Sequence, residues 1–138
     1  MTLNEPRIAR LAEANDLDFG PLSTYRSLLG GTGMPVFTGV QTCAPGYRTP
    51  LHSHPYVELL FILEGEAAVY FEGDTAPAHT LGPGDIVALP AELPHAFGTA
   101  GTVTMRLLGI HANPERIVEV HGDTPQDTHG VALARHPG

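Results

Sequence analysis

The chain has 138 residues, 42% of them hydrophobic and 16% charged, which is enough for one domain with a real core and too apolar for a disordered segment. Seven basic residues, all Arg, face fifteen acidic ones, and a net charge of −8 with no basic cluster argues against nucleic acid and against a membrane surface as partners. A single cysteine, Cys43, excludes an internal disulfide framework; with no apolar run of transmembrane length and no signal-peptide pattern, a cytoplasmic location is expected.

Residues 1–34 read as an N-terminal arm. Asn4 is placed to cap a short helix, with Pro6 in its first turn and Ile8, Leu11 and Ala12 on one side. Gly20-Pro21 and Gly30-Gly31 then interrupt regular structure. The arm would pack on the main domain or cross to a second subunit.

Residues 35–121 carry the punctuation of an all-β domain. Val36–Cys43 is rich in β-branched residues and reads as a strand, closed by the turn Ala44-Pro45-Gly46. Val57–Leu63 is a short apolar run bounded by Glu64-Gly65-Glu66, and Ala67–Phe71 reads as its hairpin return. Ala78–Leu81 and Ile86–Leu89 flank the tight turn Gly82-Pro83-Gly84-Asp85. Pro90–Pro94 is a loop, and Val103–His111 is the last long strand. Strands about ten residues apart suggest a sandwich or barrel. Residues 122–138 lose periodicity and read as a C-terminal tail, with no internal repeat anywhere.

The chemistry lies in four residues. Residues two apart on a strand share a face, so His52 and His54 point the same way, and Glu58 has the same parity. His95 begins a strand beyond a loop that Pro90 and Pro94 stiffen, where barrel closure would bring it alongside. Imidazole and carboxylate donors suit Fe, Mn, Ni, Co or Zn, so the expected cofactor is one divalent transition metal held by His52, His54, Glu58 and His95. Glu58 is also the donor best suited to leave the metal and act as a base. His111 shares the apolar parity of its strand and is expected either at the pocket mouth, as a general base or substrate contact, or exposed where Ala112-Asn113-Pro114 begins a turn.

Other residues invite two readings each. Tyr47 and Arg48 would contact substrate or lie on the surface. Tyr56 and Tyr70 would fill the interior or line a cavity. Cys43 reads as a small buried hydrophobe. His79, His121, His129 and His136 have no ligand-like spacing and read as solvated.

Gly46, His52, His54, Glu58 and Gly65 match the first signature of the cupins, and Gly84, Pro90 and His95 match most of the second. Over residues 36–111 the chain therefore resembles that family. The resemblance implies an antiparallel jelly-roll β-barrel of six to eight strands, with the four named donors on one metal inside it. It also implies a homodimer. The family usually carries glycine where this chain has Glu92 and asparagine where it has Thr99. Two functions follow as expectations. One is a metal-dependent enzyme acting on a small oxygen-rich organic molecule, of dioxygenase, isomerase, decarboxylase, cyclase or lyase type. The other is a non-catalytic module binding a sugar, metabolite or metal.

Overall fold

The computed structural model describes residues 3–121. Apart from one 3₁₀ turn at Leu11–Glu13, its regular structure is β. The strands are β1 (Asp16–Asp18), β2 (Ser23–Ser27), β3 (Phe37–Cys43), β4 (His52–Ser53), β5 (Glu58–Glu64), β6 (Glu66–Phe71), β7 (His79–Leu81), β8 (Ile86–Leu89), β9 (His95–Ala100), β10 (Met105–His111) and β11 (Glu119–Val120). They form two antiparallel sheets. The first runs β1-β2-β3-β10-β5-β8 and the second β11-β4-β9-β6-β7. Two facing sheets whose consecutive strands change sheet are a jelly roll, as expected.

The alternation of β10 sets the core. Met105, Leu107, Gly109 and His111 are buried while the residues between them are half-buried, so the odd face looks inward. Leu60 and Ile62 of β5 meet Leu107 and Met105 there, and Ala67, Val69 and Phe97 close the layer from the second sheet. A buried Leu or Ile contributes about 2 kcal/mol through the area it removes from water. Gly98 lets the 47–48 backbone cross β9 closely, because a Cβ there would overlap the Tyr47 carbonyl oxygen.

Three local expectations need correction. Residues 4–10 form no helix. Ile8 is 72% exposed, so this short segment has no apolar face to bury, and helices under about 12 residues are marginal without one. Within the first 34 residues β1 and β2 instead pair with each other, and β2 pairs with β3, extending the first sheet. Nor are β5 and β6 a hairpin. β5 pairs with β10 and β8, while β6 pairs with β9 and β7. The chain changes sheet at Gly65, whose positive φ and lack of a side chain let it turn against the Thr104 backbone. The expected C-terminal tail, with His129 and His136, lies outside the described residues. Among the described residues no helix is long and apolar enough to cross a membrane.

Candidate metal centre

The site is assembled from both sheets. β4 and β9 of the second sheet pair His52 with His95. β5 and β10 of the first sheet pair Glu58 with His111. His54 follows β4, and its carbonyl accepts from the Glu92 backbone N–H at 2.7 Å. Glu92 itself holds φ +67, the left-handed conformation that the family's glycine adopts freely.

Each of the three histidines is oriented by its own Nδ1. His52 Nδ1 lies 2.7 Å from the Pro50 carbonyl, His54 Nδ1 2.7 Å from the Ile117 carbonyl and His95 Nδ1 2.9 Å from the Leu93 carbonyl. A carbonyl only accepts, so every Nδ1 carries its proton and donates it. Every Nε2 of a neutral ring is then a bare lone pair. This is the tautomer that a metal ligand needs.

These lone pairs converge on the carboxylate. Donor atoms of His52, His54, Glu58 and His95 all lie within 4.8 Å of one another, and all four residues are buried. His54 Nε2 is 3.0 Å and His95 Nε2 3.3 Å from Glu58 Oε1. None of these three atoms has a hydrogen-bond partner within the protein. Buried acceptors facing one another are costly, and a shared cation resolves them. The four residues therefore fit one divalent metal.

Protonation follows the same geometry. Burial, reinforced by His95 and His54, holds His52 well below the usual imidazole range. Burial also opposes charge on His54, but the Glu58 carboxylate outweighs it and raises that ring. Burial works against Glu58 as an anion, yet His111 and His54 beside it keep its pKa well below the carboxylate range. His111 is pushed down to about 4, chiefly by burial, with Glu58 opposing. At neutral pH, therefore, its contact to Glu58 Oε2 at 3.1 Å is a hydrogen bond from Nε2–H, not an ion pair. Nδ1 then accepts from the Tyr56 hydroxyl at 2.7 Å. The Ile117 backbone N–H in turn donates to that hydroxyl at 2.9 Å.

His111 is thus not the exposed histidine that the following turn suggested; it is 2% exposed and ends β10 inside the barrel. Tyr56 is buried beside it. Tyr47 is core, its hydroxyl accepting from Gln41 at 2.9 Å. Arg48 is exposed and stacks 3.6 Å over the ring of Tyr70, which therefore does not fill the interior. Cys43 is buried as expected, its thiol pushed up to about 12 by burial. His79 is exposed, whereas His121 is half-buried with Nε2 at 2.7 Å from Ser53 Oγ. Spacing missed several residues of the cavity, Tyr25 and Arg116 among them. They come from opposite ends of the described chain, and no local signal marks either.

The sequence profile of the cupin domain matches residues 39–111, more than half of the chain. The chain belongs to the cupins. This cupin is 44% identical over 63 residues to a dimethylsulfoniopropionate lyase of Ruegeria pomeroyi, a match spanning 46% of this chain and 30% of the lyase. It is 29% identical over 84 residues to an auxin-binding protein of Nicotiana tabacum, spanning 58% of this chain and 43% of that protein. The match is therefore under half the length of either relative. Among solved structures, a polyketide cyclase from Streptomyces resistomycificus superposes with TM-score 0.73 at 17% identity, covering 94% of each chain. A cupin-like protein from Thermotoga maritima gives 0.64 at 21% identity, covering 85% of this chain and 96% of its own. These likenesses establish the shared barrel fold.

Proposed function

We propose that this cupin is a metal-dependent enzyme acting on a small oxygen-rich organic molecule. What carries the reading is the pairing of a preset metal site with a buried acid–base chain beside it. His52, His54, His95 and Glu58 would hold one divalent metal, whose Lewis acidity would polarise a substrate oxygen; were it iron, oxygen chemistry would be added. A metal that only stabilised the fold would need no further titratable groups. Here Glu58 Oε2 meets His111 Nε2, and His111 Nδ1 meets the Tyr56 hydroxyl. A proton can pass along Tyr56, His111 and Glu58, and Glu58 and His111 are the catalytic candidates.

The lyase relative supports turnover, with dioxygenase, isomerase, decarboxylase and cyclase chemistry as the other types weighed. A second reading, a non-catalytic module binding a sugar, metabolite or metal, draws support from the auxin-binding relative. A homodimer in the cytoplasm completes the proposal; light scattering on the purified protein tests the oligomer.

The deciding experiment begins with bound metal, measured by mass spectrometry on untagged protein beside a His52→Ala/His95→Ala variant. One equivalent in the parent and none in the variant supports the site; none in the parent, even after reconstitution, refutes it. Metal-loaded protein is then screened for oxygen uptake and product formation. Turnover that Glu58→Gln and His111→Gln abolish supports the enzyme, and tight binding without product supports the module.

A further inference from the structure

His52, His54, Glu58 and His95 are 4, 2, 5 and 1% exposed. The cavity that the first three line has a free volume of about 20 Å³, enough for one water and too small for an organic substrate. Substrate therefore reaches the donors only when one wall of the cavity moves aside.

Most of the walls are held on two sides. The lining strands β2, β3, β4, β5, β9 and β10 each lie between two neighbours in a sheet. Residues 47–49 are tied to β9, the Thr49 N–H donating to the Phe97 carbonyl at 2.8 Å and the Thr99 N–H to the Tyr47 carbonyl at 3.0 Å. The stretch 112–121, which contributes Arg116 to the lining, is held differently. It ends in β11, an edge strand of two residues paired with β4 alone. Arg116 is its one buried residue; Ile117, Val118 and Val120 are half-buried, and Ala112, Pro114 and Glu119 are exposed. An edge element with little buried surface opens at lower free energy than a strand inside a sheet.

The same stretch reaches into the site. The Ile117 carbonyl accepts from His54 Nδ1, and the Ile117 N–H donates to the Tyr56 hydroxyl. Farther on, the His121 N–H donates to the Leu51 carbonyl at 2.9 Å, and His121 Nε2 lies 2.7 Å from Ser53 Oγ. We propose that residues 112–121 are a strap that lifts from His54 and Tyr56 to admit substrate, and whose return sets His54 for the metal. The inference rests on the metal-dependent reading above and adds how that site is opened. With the strap away, His54 Nδ1 loses the carbonyl that fixes its proton and its ring angle, so the ligand set is complete only in the closed form. Closure and metal binding therefore favour each other.

Amide exchange on the metal-free parent reads the opening directly. The Ile117 and His121 amides should exchange together, roughly 100-fold or more faster than those of β10. Two variants then connect opening to access, with Co(II) uptake followed by its visible absorption. Ser53 and Glu119 are partners across β4 and β11, within the span of a disulfide, and the native Cys43 is buried. Oxidised Ser53→Cys/Glu119→Cys should take up Co(II) about tenfold more slowly than the same protein reduced. Ser53 points to the opposite face of β4 from His52. Ser53→Ala removes its bond to His121 and should speed uptake about fivefold; it carries the test if the double variant does not fold or oxidise. Strap amides that exchange only with β10, or uptake that neither variant changes, would overturn the strap while leaving the metal site standing. A parent that takes up no metal would remove the metal reading instead, and the exchange comparison, which needs no metal, would then decide the strap alone.

Discussion

Replacing Glu58 by Gln keeps the side chain's shape and removes the single anion among the four donors. Without metal the change should already destabilise at neutral pH, because the carboxylate is held well below its usual range by His111 and His54 and the neutral amide loses that stabilisation. With metal a second loss is added. At a free metal concentration about 100 times the parent's Kd, binding stabilises the fold by about 2.7 kcal/mol. At roughly 3 °C per kcal/mol for a domain of this size, the parent's Tm should rise by about 8 °C. Deleting the charged partner of a buried cation costs about 3–5 kcal/mol, a loss of more than ~100-fold in affinity. The same metal concentration then leaves the variant under half filled, and its Tm rise shrinks to about 1 °C. Differential scanning fluorimetry with and without Zn(II) or Mn(II) reads both values. A variant whose metal-dependent rise equals the parent's would show that Glu58 is not a ligand.

Glu92→Gly should stabilise the protein by about 0.5–1 kcal/mol, the strain relieved at a left-handed residue less the entropy a glycine adds to the unfolded chain. A lower urea midpoint than the parent's would contradict this. Gly98→Ala forces a methyl group into the Tyr47 carbonyl and within 3.1 Å of the Arg48 Cα, and should destabilise by about 2–4 kcal/mol; an unmoved midpoint counts against the packing described. His111, held down to about 4 in the folded state against 6.5 ordinarily, is folded as the neutral ring. Its depressed pKa leaves stability complete above about pH 6.5 and removes it progressively as pH falls through about 4. The metal-free parent should therefore lose Tm over that window, and His111→Gln should lose less; an equal loss in both would exonerate His111.

Spacing made the metal donors legible because they depend on local rules. The parity of His52 and His54 survives even though β4 is only two residues long, since the turn into β5 carries His54 and Glu58 to the same interior. Strands β3, β5, β6, β7, β8 and β10 were readable from Gly and Pro punctuation within a residue or two, β9 by its start alone, and β4 had no bounds in the sequence. Pairing was not. The Glu64-Gly65-Glu66 junction looks like a hairpin turn in sequence, and only contact with the Thr104 backbone makes it a corner between sheets. His111 kept the inward parity of its strand, but its burial depends on Tyr56, 55 residues earlier. Arg116 and Tyr25 reach the cavity from distant segments, and nothing in the residues around either announces that meeting.

The donors stand on opposite walls of the sandwich, His52 and His95 on one sheet and Glu58 on the other. A cation held among them would act as a clasp between the two sheets, inside the roll. The walls cannot part there without first surrendering the ion, so filling the site ties the local breathing of two separately hydrogen-bonded sheets into one event. Amide exchange along β4 and β9 should then slow together with that of β5 and β10, and occupancy would be written into the motion of both sheets as well as into the chemistry between them.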